Sequence, residues 1–530
     1  MKPTQVLKTT PPSCWLVLHL PQLAIESRLP NWLKDDGVVV QEKKRVVAVS
    51  PAAQAAGIHI GMRLGGVQML LPEALILASD VEKEAASLQA AAVALMRFSP
   101  QVCLLENASV LVNVGASLRL FGGIRQLLRL VMQTMASLGF STTLGCANSA
   151  KGAWLLAQAA ARTGKRRGFA LQLSSLTRRL DALPIALLPS AQIWLEWLHG
   201  IGCKTLGAVR QLPRAGVQRR CGKALLQELD SAYGQTHELY NWMQLSPQFR
   251  ARIDLLDRIE HTEAILYFAQ SMITQLCGWL THQHLSITQI QLHLEHERGR
   301  QAIPPTPLDI TLAQATWREE HLCRLLKERL AQLQLDAPVI ALQLFAAQTQ
   351  AMQVPSGDLF PEMGGSTEEQ HRLVELLSAR LGSDNVLQAA AQTDYRPEVA
   401  NQWTPAIQTS KTSQANSKQT KFQSKEYINE HQKHGQNRPS WLLPKAIPLE
   451  LRQHRPYYRG ALKLMSPAER IEAGWWDGQL VTRDYFIAES AEHLRYWIYR
   501  ERRGASHQAQ ALESGTQDHA PIWFLHGVFG

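Results

Sequence analysis

The chain has 530 residues, 45% apolar and 19% charged, enough for three or four domains that each bury a core of their own. Its formal charge of +10 and pI near 9.3 favour a polyanionic partner such as DNA over an acidic one. Seven cysteines without a C-x-x-C pair argue against a disulfide frame and a zinc site, and no stretch reaches the ~18 uninterrupted apolar residues of a membrane span, so a soluble, cytoplasmic protein is expected.

In chain order, Trp15–Leu20 is an apolar run bounded by Pro12 and Pro21, the pattern of a buried strand. Residues 46–72 read as a strand, a small-residue helix, a turn with Gly57-Ile58 and Gly61-Met62, and a second short helix. Ala85–Arg97 has helical spacing and leads into Phe98-Ser99-Pro100. The β-branched run Ser109–Val114 reads as a central strand, the Gly122-Gly123 pair opens another amphipathic helix, and Thr142–Ala147 forms a strand before an Ala-rich helix from Lys151. Strands and helices in alternation imply α/β or α+β layers.

These segments resemble, in order and wording, the palm and fingers of the Y-family (translesion) DNA polymerases. Gly57-Ile58, Gly61-Met62 and Phe98-Ser99-Pro100 fit family motifs. The resemblance puts Pro21 and Leu23 on the family's Asp-x-Asp pair, and Ala108 and Ser109 on its Asp-Glu pair. It puts Pro51 and Gln54 on the triphosphate-gripping Tyr and Arg, and Trp154 on a helix lysine. Phosphoryl transfer needs anionic oxygens to hold two Mg²⁺ ions about 4 Å apart. None of these positions supplies one, so no catalytic residues, metal or cofactor are expected. Glu26, Glu106 and Asn113 lie near enough to serve as displaced ligands only under a shifted register, and His19, inside an apolar run, reads as a core or edge histidine.

Beyond the palm, residues 183–245 are helical in pattern, with Gly200–Thr205 resembling the family thumb's Gly-Ile-Gly-x-x-Thr hairpin. Lys204, Arg219, Arg220 and Lys223 are candidate DNA-phosphate contacts there. Residues 250–345 fit the family's little finger, with strands at Leu285–Leu294 and Val339–Phe345 and helices at Ile259–Leu280 and Trp317–Leu333. Asp358-Leu359-Phe360 has the form of a peptide that inserts paired anchors into a sliding clamp; residues 341–345 are a second candidate in a more strand-like context. A helix spans Glu368–Leu381, and residues 404–438, polar and basic, cannot bury enough surface to offset their ordering entropy. Aromatic segments then return, and Asp477-Gly478 supplies turn chemistry for a compact β meander. Its aromatic density suggests a partner surface, with Trp475, Trp476, Asp477, Gly478, Trp523 and Phe524 as candidates.

The expected organisation is α/β and α+β multidomain: palm and fingers at 12–165, helical thumb at 166–248, little-finger-like domain at 249–350, clamp-motif loop and short helix at 351–400, disordered linker at 401–438 and C-terminal aromatic-rich module at 439–530. RIEAGWWDG, VTRDYF and the terminal WFLHGVFG resemble the C-terminal region of the ImuB-type accessory proteins of bacterial damage-induced mutagenesis. That resemblance implies a nucleoid-associated, non-catalytic adapter that joins DNA, the sliding clamp, an error-prone C-family DNA polymerase and the RecA-like ImuA. Two alternatives stay open: an active Y-family polymerase with displaced metal ligands, and a purely structural DNA-binding protein.

Overall fold

The computed structural model describes residues 14–236, 238–297, 303–352, 367–406, 438–502 and 522–529. The chain divides at Arg380/Leu381 into two compact units. None of the described helices is long and apolar enough to cross a membrane.

The first unit opens with β1 (Trp15–His19) and α1 (Leu23–Glu26), followed by β2 (Val38–Glu42), β3 (Arg45–Val49), α2 (Pro51–Ala55), α3 (Leu64–Leu70) and β4 (Leu75–Ala78). Next come α4 (Val81–Leu95), β5 (Val102–Leu105), β6 (Ser109–Asn113), α5 (Ile124–Ser137), β7 (Thr143–Ala147), α6 (Ala150–Arg162) and β8 (Arg167–Ala170). The main sheet runs β5-β6-β1-β7-β8, with β1 antiparallel to both neighbours. Leu16 and Leu18 pack in one core with α4 and α5 residues, whereas Val17 joins the opposite core with α6. Burial on both faces is why β1 reads as a continuous apolar run rather than an alternating one. β2, β3 and β4 form a separate small sheet closed over Val39, Val46, Ile58 and Val67.

A helical segment follows, α7 (Leu173–Asp181), α8 (Leu195–Gly200), α9 (Leu206–Arg210) and α10 (Arg214–Ala232), and shares its core with α6. Gly222 interrupts α10 at φ +80°, a left-handed conformation that a residue with a Cβ adopts only at a cost. Next come β9 (Arg250–Ile259), α11 (Thr262–Gln283), β10 (Leu285–His296), β11 (Thr306–Thr316), α12 (Glu319–Ala331), β12 (Val339–Ala351) and α13 (Thr367–Leu381). They make a sheet in the order β11-β10-β12-β9. Residues 341–345, the second clamp candidate, lie in β12, which is paired on both edges, with Leu342 and Leu344 buried. α11 lies directly on α4: a Cβ added at Gly278 would stand 2.3 Å from the carbonyl oxygen of Val93. Arg97 and Thr274 both reach Glu319 across this seam.

The second unit contains β13 (Leu387–Ala391), β14 (Asn401–Pro405), β15 (Trp441–Arg452), β16 (Arg455–Tyr457), β17 (Lys463–Leu464), β18 (Glu469–Ala473), β19 (Val481–Glu489), β20 (Arg495–Glu501) and β21 (Trp523–Val528). Its sheet runs β16-β15-β21-β20-β19-β17, with β18 against β19. This is not a simple meander, because the last strand inserts between β15 and β20. Asp477 and Gly478 do lie in the β18–β19 turn, but that turn spans residues 474–480 rather than two residues.

Asn401–Pro405, expected as the start of the linker, instead pairs with Leu387–Ala391. The β13–β14 loop is held by charge rather than apolar burial. Arg396 donates to both oxygens of Asp394 (3.1 and 2.7 Å) and to both of Asp477 (3.2 and 2.5 Å). Glu398 pairs with Arg483 and lies 3.5 Å from His526 Nε2. A polar sequence with few apolar anchors is thus fixed to the module by its carboxylates and its one guanidinium.

The module should therefore need its β13–β14 hairpin. A fragment of residues 381–530 is expected to melt cooperatively, and one of 439–530 to melt more than about 5 °C lower. Circular dichroism melts of the two fragments check this, and equal midpoints would refute it.

Candidate functional site

The positions singled out by the polymerase resemblance lie where β1 ends beside the β5–β6 turn. Asn107 and Ala108 both take positive φ (53° and 46°) and turn the chain into β6. The register pairs His19 with Ser109, and Leu20 N donates to Ala108 O at 2.9 Å. Ala108 and Ser109 therefore meet His19, not Pro21 and Leu23. By residue 21 the chain has left the strand: Pro21 is exposed in the following turn and Leu23 is buried in the α4/α5 core.

The groups that do meet there are neutral and satisfy one another. His19 Nδ1 donates to Asn107 O at 2.8 Å and Ser109 Oγ donates to the same oxygen at 2.9 Å. Gln158 Nε2, on α6, donates to Ser109 Oγ at 3.3 Å. Burial holds the His19 pKa below its ordinary value, with hydrogen bonds to the Asn107 and Ala108 backbone opposing it. Sequence reasoning set His19 aside because an apolar run surrounds it; only the register against Ser109 reveals its place.

The other residues that the resemblance singles out are equally uncharged. Pro51 and Gln54 sit exposed on α2, whose first turn is capped by Asp35 (Ala52 N, 3.0 Å) and Ser50 (Ala53 N, 3.3 Å). Trp154 is buried on α6, its Nε1 donating to Glu106 O at 3.4 Å. One turn earlier, Lys151 lies 4.2 Å above the Trp154 ring and is bound by Glu228.

Of the substitute acceptors, Glu26 is buried and takes the Ser141 amide at 2.8 Å; burial raises its pKa, with the Ser141 contacts opposing. Asn113 lies at the far end of β6, opposite Trp15, and donates to Gln101 Oε1 at 2.7 Å. Only Glu106 is exposed beside the turn. Among the described residues, no group of three or more His, Cys, Asp or Glu is arranged to hold a metal ion.

Lys204 lies between α8 and α9, and Arg219, Arg220 and Lys223 flank the break at Gly222. All four are exposed, and none makes an ion pair among the described residues. In the second unit the six aromatic-turn candidates separate. Trp475 (77% exposed) and Trp476 (51%) stand perpendicular at 5.4 Å in the β18–β19 turn, while Asp477 is engaged by Arg396 and Gly478 supplies positive φ. Trp523 (7% exposed) packs against Phe486, and the half-buried Phe524 stacks on Tyr499. Being consecutive on β21 they point to opposite faces of the sheet, each of which carries an apolar cluster that takes one ring. Asp358, Leu359 and Phe360 lie outside the described residues.

Residues 23–158 match the impB/mucB/samB family, which makes the first part of the chain a Y-family polymerase-like domain. The proteins named ImuB from two Caulobacter vibrioides strains, NA1000/CB15N and ATCC 19089/CB 15, are each 23% identical over 506 residues, covering 89% of this chain and all of theirs. Over most of its length the chain is thus similar to proteins named ImuB, and in its first part to a polymerase-like family. Among solved structures, a Dbh ternary complex (14% identity, 64% of this chain and 100% of that one, TM-score 0.37) is similar. So is an insertion ternary complex of Dbh DNA polymerase (13%, 63% and 98%, 0.37).

His19 provides a test of the neutral cluster. Because its folded-state pKa is depressed, the stability it contributes is present above the ordinary value of about 6.5 and is lost as pH falls through the folded value. The full chain should lose more thermal stability between pH 7.5 and 5 than its His19→Gln variant. Identical pH dependence of the two melts would refute this.

Proposed function

We propose that the chain is a non-catalytic, polymerase-like adapter in damage-induced mutagenesis and translesion DNA synthesis. It links the sliding clamp, an error-prone C-family DNA polymerase and the RecA-like ImuA on DNA, in keeping with its likeness to proteins named ImuB. The observation that carries the first half of the reading is the neutral His19–Ser109–Gln158 cluster at the β1 end. A site with no carboxylate at those positions cannot neutralise the charge that develops on a transferred phosphoryl group, but the scaffold around it can still dock.

The exposed cations Lys204, Arg219, Arg220 and Lys223 support a sequence-independent grip on DNA phosphates, since neutralising phosphates gains affinity without reading bases. Asp358, Leu359 and Phe360 supply the clamp anchors, and Trp475 and Trp476, exposed on a turn braced by Arg396, supply the partner surface of the second unit.

The second reading is an active polymerase with displaced ligands. It has one feature in its favour, the exposed Glu106 beside the cluster, and one against it, the engagement of Glu26 by the Ser141 amide. Primer extension with Mg²⁺ or Mn²⁺ separates the two readings. The purified chain is expected to add no nucleotide; incorporation that disappears in Glu26→Gln or Glu106→Gln would establish the polymerase instead. For the clamp contact, Leu359→Ala combined with Phe360→Ala should weaken clamp binding in a pull-down at least tenfold, as loss of a paired apolar anchor does. Undiminished binding would remove that contact from the scheme.

A further inference from the structure

The edge of the second unit's sheet carries a cationic hairpin that the adapter reading leaves unused. β15 and β16 pair as Glu450↔Tyr457, Leu451↔Pro456 and Arg452↔Arg455. Gln453 and His454 between them both take positive φ (50° and 64°), the two-residue turn whose twist suits an antiparallel ribbon. Leu449 and Leu451 face the core, so alternation turns Glu450, Arg452, Arg455 and Tyr457 to the opposite side.

On that side the Arg452 guanidinium lies 4.1 Å from the centre of the Tyr457 ring, and Glu450 holds it at 3.1 and 2.9 Å. Arg455 and Arg459 are exposed, and neither makes an ion pair among the described residues. From 450 to 463 the segment carries Arg452, Arg455, Arg459 and Lys463 against Glu450 as its only carboxylate.

Charge decides the class of occupant, since exposed guanidinium groups in a chain of net charge +10 match a polyanion. The sheet edge does not suit a peptide strand, because β16 is three residues long and carries Pro456, which has no N–H to offer. The Arg452–Tyr457 stack is a planar platform, and such platforms hold bases that are not already paired and stacked in a duplex. We propose that the β15–β16 hairpin is a second DNA contact and that it takes single-stranded DNA, with Arg455 and Arg459 on phosphates and the Arg452–Tyr457 stack against an unpaired base.

The test uses the full chain and labelled oligo-dT, read by fluorescence anisotropy across a salt series. It is run in a background where Lys204, Arg219, Arg220 and Lys223 are all changed to Gln, so that loss of the thumb contact and loss of the hairpin contact are read separately. Adding Arg455→Gln and Arg459→Gln should weaken oligo-dT binding about tenfold and reduce the steepness of log K against log salt by about 1.4, the value for two phosphates on a single strand. Tyr457→Ala should weaken oligo-dT binding by a similar factor and leave binding to a duplex of the same length unchanged. Near-ultraviolet circular dichroism confirms that each variant keeps its tertiary packing. Unchanged affinity and salt dependence in a folded double-Gln variant would overturn the proposal, and an equal loss on duplex and oligo-dT in Tyr457→Ala would overturn the choice of single strands.

Discussion

Much of the first unit depends on β1 being hydrogen-bonded along both edges, to β6 and to β7. A strand held that way cannot slip by one residue without exchanging its two buried faces and shifting both ladders, so pairing and packing together fix its register. That register sets which side chain stands at the strand end beside the β5–β6 turn, and it selects His19. With Ser109 fully buried and Gln158 reaching over from α6, the place is filled by groups that satisfy one another without net charge. A carboxylate introduced into that cluster would lose hydration and stand near the Asn107 carbonyl oxygen, so the present arrangement is self-consistent as well as neutral.

The second unit solves a different problem, how to stabilise a small sheet rich in arginine. Fully buried Tyr485 stacks on Trp497 at 4.0 Å and shares a hydrogen bond with His526 Nδ1 at 2.9 Å, giving the sheet an aromatic centre. Around it, cations converge on single carboxylates. Asp484 is approached by Arg470 and Arg500 at 3.1 Å and Arg502 at 3.4 Å. Burial opposes ionisation of Asp484, but the three arginines prevail and hold its pKa below the usual carboxylate range. The loop of the β13–β14 hairpin uses the same device with the signs exchanged, one guanidinium between two aspartates.

How much of this was legible in the sequence follows from what held each element in place. Apolar pattern found β1, β6, β7, α6, α11 and β12, because their residues are buried for reasons that periodicity records. It missed β9, whose apolar residues are interspersed with charged ones, and β11, although Leu308, Ile310 and Leu312 alternate there with polar residues. Motif spacing drew attention to Ala108 and Ser109 but not to His19 as the side chain beside them, since spacing does not say where a strand stops and a turn begins. Composition could not separate Trp475 and Trp476 from Trp523 and Phe524: the same residue types are exposed on a turn and enclosed on a strand. The hairpin at 387–405 was hidden most completely, because its anchoring carboxylates look like solvated polar residues until Arg396 is seen between them.

That hairpin changes what residues 407–437 connect. β14 precedes them and β15 follows, and both strands belong to the same unit. The polar, lysine-bearing segment is thus an insertion that leaves and re-enters one body, and its length cannot set the reach between the two units. A protease cut within it would not release the aromatic sheet from the rest of the chain by severing a leash. The two fragments would remain clipped together through Arg396 and Glu398, much as a nicked ring keeps its circumference.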